Sequence, residues 1–223
     1  RGFNKNNIPP FSKGITNTNI GFIGFGAISK RIYALTKGFE CNYYAFTNTG
    51  KLSNIYADVN VSKFPSFYEK AKNLDYLFIC VPLTDKTIRL IKLDEFKCLS
   101  PECIVINVSR GEVIDEKSLY RALDEKIIYG AGIDTWYNYP SMNNPKVFPS
   151  IDHEFHLLDN LILSPHRAGY LEGDFPHLKD AIENLNRASR GQELKNIISL
   201  EKKYWMNILF TCAGRRHYLI DYF

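Results

Sequence analysis

The sequence predicts an α/β protein built on a doubly wound parallel sheet, and three observations carry that expectation. Short apolar runs at 19–23, 43–46, 77–81, 104–107, 127–133 and 161–164 alternate with helix-like stretches, the spacing of parallel strands joined by crossover helices. The run at 77–81 is apolar throughout rather than alternating, as a strand covered on both faces requires. The first run stops at Gly24 and Gly26 and the chain then restarts with helical periodicity, which reads as strand, tight turn and helix.

The rest of the chain is organised around that first turn. Gly24 and Gly26 let the backbone bend sharply and come close to a pyrophosphate, whose charge faces the N–H groups opening the next helix at Ala27 and Ile28. The fingerprint's third glycine is Ser29, small enough for the close helix-to-strand packing needed there. The helix runs over 27–37 with Ile28, Ile32 and Leu35 on one face, and Gly38 ends it. The second strand, 43–46, leads to Thr47, the place where a dinucleotide fold reads the adenosine ribose. An acid there binds the 2′-hydroxyl, yet no Asp or Glu lies between Cys41 and Ala57. Thr47 tolerates a 2′-phosphate and Lys51 attracts one, so NADP is expected ahead of NAD, with a merely solvated Lys51 as the alternative.

Further along, Ser66 and Glu69 suggest a capping box opening a short helix to Asn73. After the strand at 77–81, Pro82 to Thr87 turns into another helix capped by Thr84 or Asp85. The strand at 104–107 is followed by a helix capped by Asp115 and running through Leu123, and strands at 127–133 and 161–164 complete the sheet.

Composition limits the partners. In 223 residues, 45% are hydrophobic and 23% charged, as in soluble globular proteins. A net charge of +4, with Lys and Arg scattered, gives no stripe for nucleic acid or an anionic membrane. The five cysteines are odd in number and without a CxxC pair, which fits reduced thiols in the cytoplasm. No apolar run reaches membrane-spanning length. The chain opens on Arg1, with a loop-like stretch over 1–18, and reads as a fragment.

Chemistry gathers at strand ends, where an open parallel sheet binds its ligand. Arg110 follows the strand ending at Asn107, Asp134 follows the one ending at Ile133, and His166 follows the last strand through Pro165. His153 and His156 invite a metal reading, but their spacing in a Pro- and Asn-rich connection lacks a third ligand, so no metal is expected.

The segment from Val108 to Asp115 (VSRGEVID), Gly130 to Asp134 (GAGID) and Leu163 to His166 (LSPH) resembles the D-isomer-specific 2-hydroxyacid dehydrogenases. Val81 to Thr84 (VPLT) and Asn184, Leu185 and Gly191 are further landmarks of that family, and the likeness runs from about Ile15 to Ile198. The resemblance implies hydride transfer between a nicotinamide and C2 of a 2-keto or 2-hydroxy acid, on a Rossmann-type sheet. Arg110 then holds the substrate carboxylate and carbonyl oxygen with its planar fork and His166 exchanges the proton of the substrate oxygen. Val81, Pro82 and Asp134 are implied to sit beside the cofactor.

One position departs from the pattern. The family usually has a glutamate before the proline that follows the strand-end aspartate, where it pairs with the histidine; here Tyr139 precedes Pro140. A phenol can hydrogen-bond an imidazole but supplies no counter-charge, so Tyr139 is expected to position His166 without charging it.

The resemblance also divides the chain: a linker over 1–18, a dinucleotide-binding domain over 19–171, and a return segment over 172–203 whose helix, 180–190, leads back to a substrate domain that is missing. Ile182 and Leu185 on that helix are expected to be exposed, and the isolated chain to bind dinucleotide with little turnover. The tail over 204–223 starts a new strand, glycine turn and helix and looks similar to the opening of ATP-grasp ligases. Family members suggest a homodimer. The reading from a different class is a dinucleotide-sensing or partner-binding protein that kept the fold without catalysis; a methyltransferase would leave Arg110 and His166 unexplained.

Overall fold

Seven strands, β1 (Asn19–Ile23), β2 (Asn42–Thr47), β3 (Val59–Lys63), β4 (Tyr76–Ile79), β5 (Ile104–Asn107), β6 (Gly130–Ile133) and β7 (Leu161–Leu163), form one sheet in the computed structural model, which describes residues 14–169 and 176–197. Every pairing is parallel and the order is β3-β2-β1-β4-β5-β6-β7. The chain reverses its direction of travel across the sheet between β1 and β4, and at such a point the crossover connections part to leave a crevice above the strand ends.

The helices are α1 (Ala27–Thr36), α2 (Phe67–Lys70), α3 (Leu93–Lys97), α4 (Glu116–Asp124) and α5 (Pro176–Ser189). Two apolar clusters sandwich the sheet, which is why the central strands tolerate no polar face. One joins Phe22, Phe25, Tyr33 and Tyr43 under α1, with Phe25 edge-on to Tyr56 at 5.2 Å and Tyr33 edge-on to Tyr43 at 4.8 Å. The other joins Phe67, Phe96, Leu119, Leu123 and Val105 with the strand residues between them. Burying each such large side chain contributes about 2 kcal/mol. No helix among the described residues is long and apolar enough to cross a membrane. Cys41, Cys80, Cys98 and Cys103 are free thiols, while Cys212 and the tail over 204–223 lie outside the described residues.

Several local expectations are corrected. The buried face of α1 is Ser29 and Tyr33, whereas Ile28 and Leu35 point outward, because the aromatic cluster recruits Tyr33 and the glycine turn recruits Ser29. Gly38 does not stop that helix; the chain tightens into a 3₁₀ turn over Lys37–Phe39, and Glu40 takes the left-handed conformation at φ 57°. Ser66 makes no side-chain cap, since the segment enters α2 through a 3₁₀ turn over Phe64–Ser66. No helix forms after Pro82: the Thr87 hydroxyl donates to Pro82 O at 2.5 Å and accepts from Thr84 N at 2.8 Å, competing with helical bonding. Helix α3 begins only at Leu93. The strand expected over 127–133 shortens to 130–133, and the helix expected over 180–190 runs over Pro176–Ser189. Asp115 accepts from Ser118 N at 3.0 Å to cap α4 as expected, and Gly191 at φ 66° follows α5. Ile182 and Leu185 are exposed, at 59% and 69%.

Among the described residues, one buried side-chain polar atom lacks any hydrogen-bond partner, the Thr135 hydroxyl just past β6. An orphaned buried hydroxyl costs its desolvation with no return. Thr135→Val, which keeps the shape and drops the hydroxyl, is therefore expected to raise unfolding stability by about 1 kcal/mol, read as a higher urea midpoint at unchanged slope.

Candidate functional site

The hinge after β1 is fixed from three sides. Gly24 adopts φ +83°, and a Cβ there would stand 2.7 Å from Val81 Cγ1 and 2.9 Å from Cys80 O. Gly24 N donates to Phe46 O at 2.9 Å, tying the hinge to β2, and the fully buried Ser29 donates its hydroxyl to Gly24 O at 2.8 Å. Ser29 thus packs closely, as expected of the third fingerprint position, and also clamps the turn.

Gly26 serves a different purpose. A Cβ added there would meet no protein atom within 4 Å, although Gly26 stands at the mouth of α1. The helix opens with no side-chain cap and no acid in its first turn, and Gly26, Ala27 and Ile28 are exposed. Its first N–H groups accordingly face outward with the positive end of the helix dipole behind them, an anion cradle with space for a diphosphate. The residues fit a dinucleotide on this observation. Val81 lies against the hinge and Pro82 on the exposed rim beside it.

At the end of β2, Thr47 Oγ accepts from Gly50 N at 2.9 Å and closes a turn in which Gly50 takes φ +66°. The turn uses one of its two lone pairs and leaves the hydroxyl proton to meet a ligand. Thr49 accepts from Lys51 N at 3.3 Å, and Lys51 itself is exposed.

Across the reversal point the three strand-end groups are held by their neighbours. Asn107, only 1% exposed, accepts from Ser109 N at 3.0 Å and Ser109 Oγ at 2.7 Å, and donates to Arg110 O at 3.0 Å. That bracket turns the chain so that Arg110 projects from the end of β5. One guanidinium N–H donates to Ser109 O at 2.8 Å, which uses one of its five donors. Gly111 follows because nothing larger fits: a Cβ would lie 2.4 Å from Trp136 O.

Asp134 sits 6% exposed at the end of β6. Its carboxylate accepts from the Ser164 hydroxyl, from Arg167 N at 2.8 Å and from Ala168 N at 3.0 Å. Burial alone raises its pKa, but those three bonds, together with His166 nearby, outweigh it and hold the carboxyl below its ordinary value. Between the bonded residues stands His166, half-buried and left-handed at φ 56°. Such a conformation costs a non-glycine residue about 1 kcal/mol and persists where the surroundings over-determine it.

Tyr139 does meet His166, but not by its hydroxyl. The rings lie tilted with centroids 5.5 Å apart, while the hydroxyl accepts from Trp136 N at 2.8 Å. The expected phenol-to-imidazole hydrogen bond is replaced by ring contact, because the Trp136 amide needs an acceptor where β6 ends. Burial raises the Tyr139 pKa, the Trp136 bond and the Arg110 charge oppose that rise, and Glu112 and Asp134 add to it. Arg110, Tyr139, Asp134 and His166 therefore share one electrostatic neighbourhood.

His153 and His156 lie away from this group, stacked on Tyr120 at 4.7 Å and on Phe148 at 4.4 Å. The bracketing roles of Asn107, Ser109 and Ser164 are not legible from residue pattern alone. Asn two residues before Ser at a strand end is the one available signal, since Asn commonly bonds the backbone two residues on.

Residues 3–168 match the family described as the NAD-binding domain of D-isomer specific 2-hydroxyacid dehydrogenases. The chain is 34% identical over 147 residues to glyoxylate reductase of Pyrococcus furiosus, covering 66% of this chain and 40% of that protein. It is 28% identical over 188 residues to a glyoxylate/hydroxypyruvate reductase of Arabidopsis thaliana, covering 84% and 54% respectively. It thus spans about half the length of these relatives. In fold it is similar to an NADPH-dependent glyoxylate/hydroxypyruvate reductase from Sinorhizobium meliloti solved with NADP and sulfate, with a TM-score of 0.74 at 18% identity over 90% of this chain and 61% of that one. A D-isomer specific 2-hydroxyacid dehydrogenase from Lactobacillus delbrueckii solved with NAD gives a TM-score of 0.71 at 22% identity, over 88% of this chain and 60% of that one.

Proposed function

Because the chain belongs to the D-isomer specific 2-hydroxyacid dehydrogenases through their NAD-binding domain, we propose that it binds NADP ahead of NAD and serves the reduction of a small 2-keto acid of the glyoxylate or hydroxypyruvate class. The observation that carries this reading is the gathering of Arg110, His166 and Asp134 on loops leaving adjacent strands β5, β6 and β7. The nicotinamide, when bound, supplies the hydride. Arg110 engages the substrate carboxylate, its planar fork matching two oxygens at once. His166 delivers a proton to the carbonyl oxygen as reduction proceeds and takes it back in the reverse direction. Gly26 and the opening turn of α1 hold the diphosphate, while Thr47 and Lys51 read the adenosine ribose.

A cytoplasmic homodimer completes the proposal. The tail over 204–223, with its likeness to ATP-grasp ligases, contributes nothing to it. The second reading, a dinucleotide-binding protein without turnover, draws on Tyr139: the imidazole has a neutral ring beside it where a carboxylate is the family habit.

The two readings separate on a panel of glyoxylate, hydroxypyruvate and pyruvate assayed in the whole protein with NADPH and NADH. Turnover of at least one acid is expected, and saturable cofactor binding without any turnover would leave the second reading standing. Preference is tested in this chain alone, using energy transfer from the buried Trp136 to the reduced nicotinamide. Lys51→Glu is expected to weaken NADPH about tenfold by trading attraction for repulsion while NADH changes little. Equal losses for both cofactors would remove Lys51 from the 2′-phosphate.

A further inference from the structure

Arg110 and His166 belong to different loops, each tied to its own buried polar side chain, and those two side chains are linked through their backbones. Asp134 N donates to Asn107 O at 3.0 Å across the β5–β6 boundary. Asn107 brackets the Arg110 loop with its amide, and Asp134 brackets the His166 loop with its carboxylate. A second strut runs alongside. Trp136 Nε1 donates to Ser164 O at 2.8 Å, and the Trp136 backbone is the surface against which Gly111 abuts. The two struts close a ring from the Arg110 loop through β6 to the His166 loop and back.

We propose that Asn107 is a positioning residue for the reaction, and that through Asp134 it fixes the relative placement of the Arg110 fork and the His166 imidazole as one unit. Three features support a yoke rather than two independent loop anchors. Asn107 and Asp134 are both buried, at 1% and 6% exposure, where hydrogen bonds are strengthened and an unpaired group is costly. Every group bonded by the side chain of Asn107 or Asp134 is a backbone group of the two loops or a hydroxyl within them, so a shift of either side chain moves a loop rather than a flexible tip. His166 also occupies a left-handed conformation, which persists where the surroundings over-determine it, and the Asp134 carboxylate bonds the two amides that follow it. Arg110 and His166 act on adjoining groups of one small acid, so a relative displacement of about 1 Å costs about a hundredfold in rate.

The inference rests on the proposed keto-acid reduction for its catalytic meaning, and the test separates the two. Asn107→Ala is measured in the NADPH-loaded protein for amide hydrogen exchange and for glyoxylate kinetics. Exchange is expected to accelerate at Ser109, whose acceptor is removed, and also at Arg167 and Ala168, whose amides bond Asp134 instead. With glyoxylate, KM is expected to rise and kcat to fall about tenfold or more each, with NADPH affinity within twofold of the parent. A general loss of stability would move cofactor affinity too. Acceleration confined to the Arg110 loop, with Arg167 and Ala168 unchanged, overturns the yoke. If Asn107→Ala fails to fold, Ser109→Ala removes a single bracket bond, and the same pattern of exchange decides. Should exchange spread to Arg167 and Ala168 while the parent protein reduces no keto acid, the yoke stands and the proposed reaction falls.

Discussion

Replacing His166 with alanine is expected to lower kcat for keto-acid reduction by about a thousandfold while leaving NADPH affinity unchanged, since general acid catalysis contributes roughly 10²–10⁴-fold. The reduced carbonyl oxygen must acquire a proton as hydride arrives, and the neighbouring groups are otherwise engaged: Asp134 is bonded to Ser164, Arg167 and Ala168, and the Tyr139 hydroxyl is turned to Trp136 N. Arg110→Lys keeps the charge but loses the two-pronged geometry, so its loss is expected in KM for the acid, with kcat falling less. Steady-state kinetics of the whole protein with glyoxylate and NADPH check both. Equal activity in His166→Ala and the parent would transfer the proton to another donor and end the assignment.

Gly111→Ala is expected to cost about 3 kcal/mol of stability and most of the activity, whereas Gly26→Ala is expected to cost little stability and most of the cofactor affinity. The contrast comes from the atoms each added methyl meets. At Gly111 it lands 2.4 Å from the Trp136 carbonyl oxygen and 2.6 Å from its carbon, both rigid backbone, so the Arg110 loop must move away from β6. At Gly26 it meets nothing of the protein and enters the space above the N-terminus of α1. Urea denaturation and NADPH titration of the two variants make the check. A stable Gly111→Ala, or a Gly26→Ala that binds NADPH as the parent does, contradicts the respective assignment.

Much of this arrangement is readable from residues alone because it rests on strong local signals. Glycines at 24 and 26 announce the hinge, the apolar run at 77–81 announces a central strand, and Asp115 announces its helix. What escapes the sequence is decided by weak patterns at the sheet border, by side chains that claim backbone groups a few residues away, and by one carboxylate that holds a loop far along the chain. Strand β3 is missed because its residues, Val59 to Lys63, alternate apolar and polar at the border of the sheet, a weak pattern over five positions. The helix expected after Pro82 fails because a threonine hydroxyl offers the backbone another partner. Arg110, Asp134 and His166 are visible as strand-end residues, but the bonds fixing their loops join Asn107 to Arg110 and Asp134 to residues more than thirty positions later. Tyr139 is the instructive case: its place in the order of residues points to His166, and its ring does lie there, yet the hydroxyl answers the nearest unpaired amide.

The reversal of strand order between β1 and β4 also divides labour within the molecule. On the proposed function, the residues that choose between phosphorylated and plain adenosine stand on the β1–β2 side, and those that handle the acid and its proton stand on the β5–β7 side, with the hydrogen-bonded sheet between them. On that proposal, editing the turn at 47–51 exchanges one redox currency for another without touching the groups proposed to make bonds.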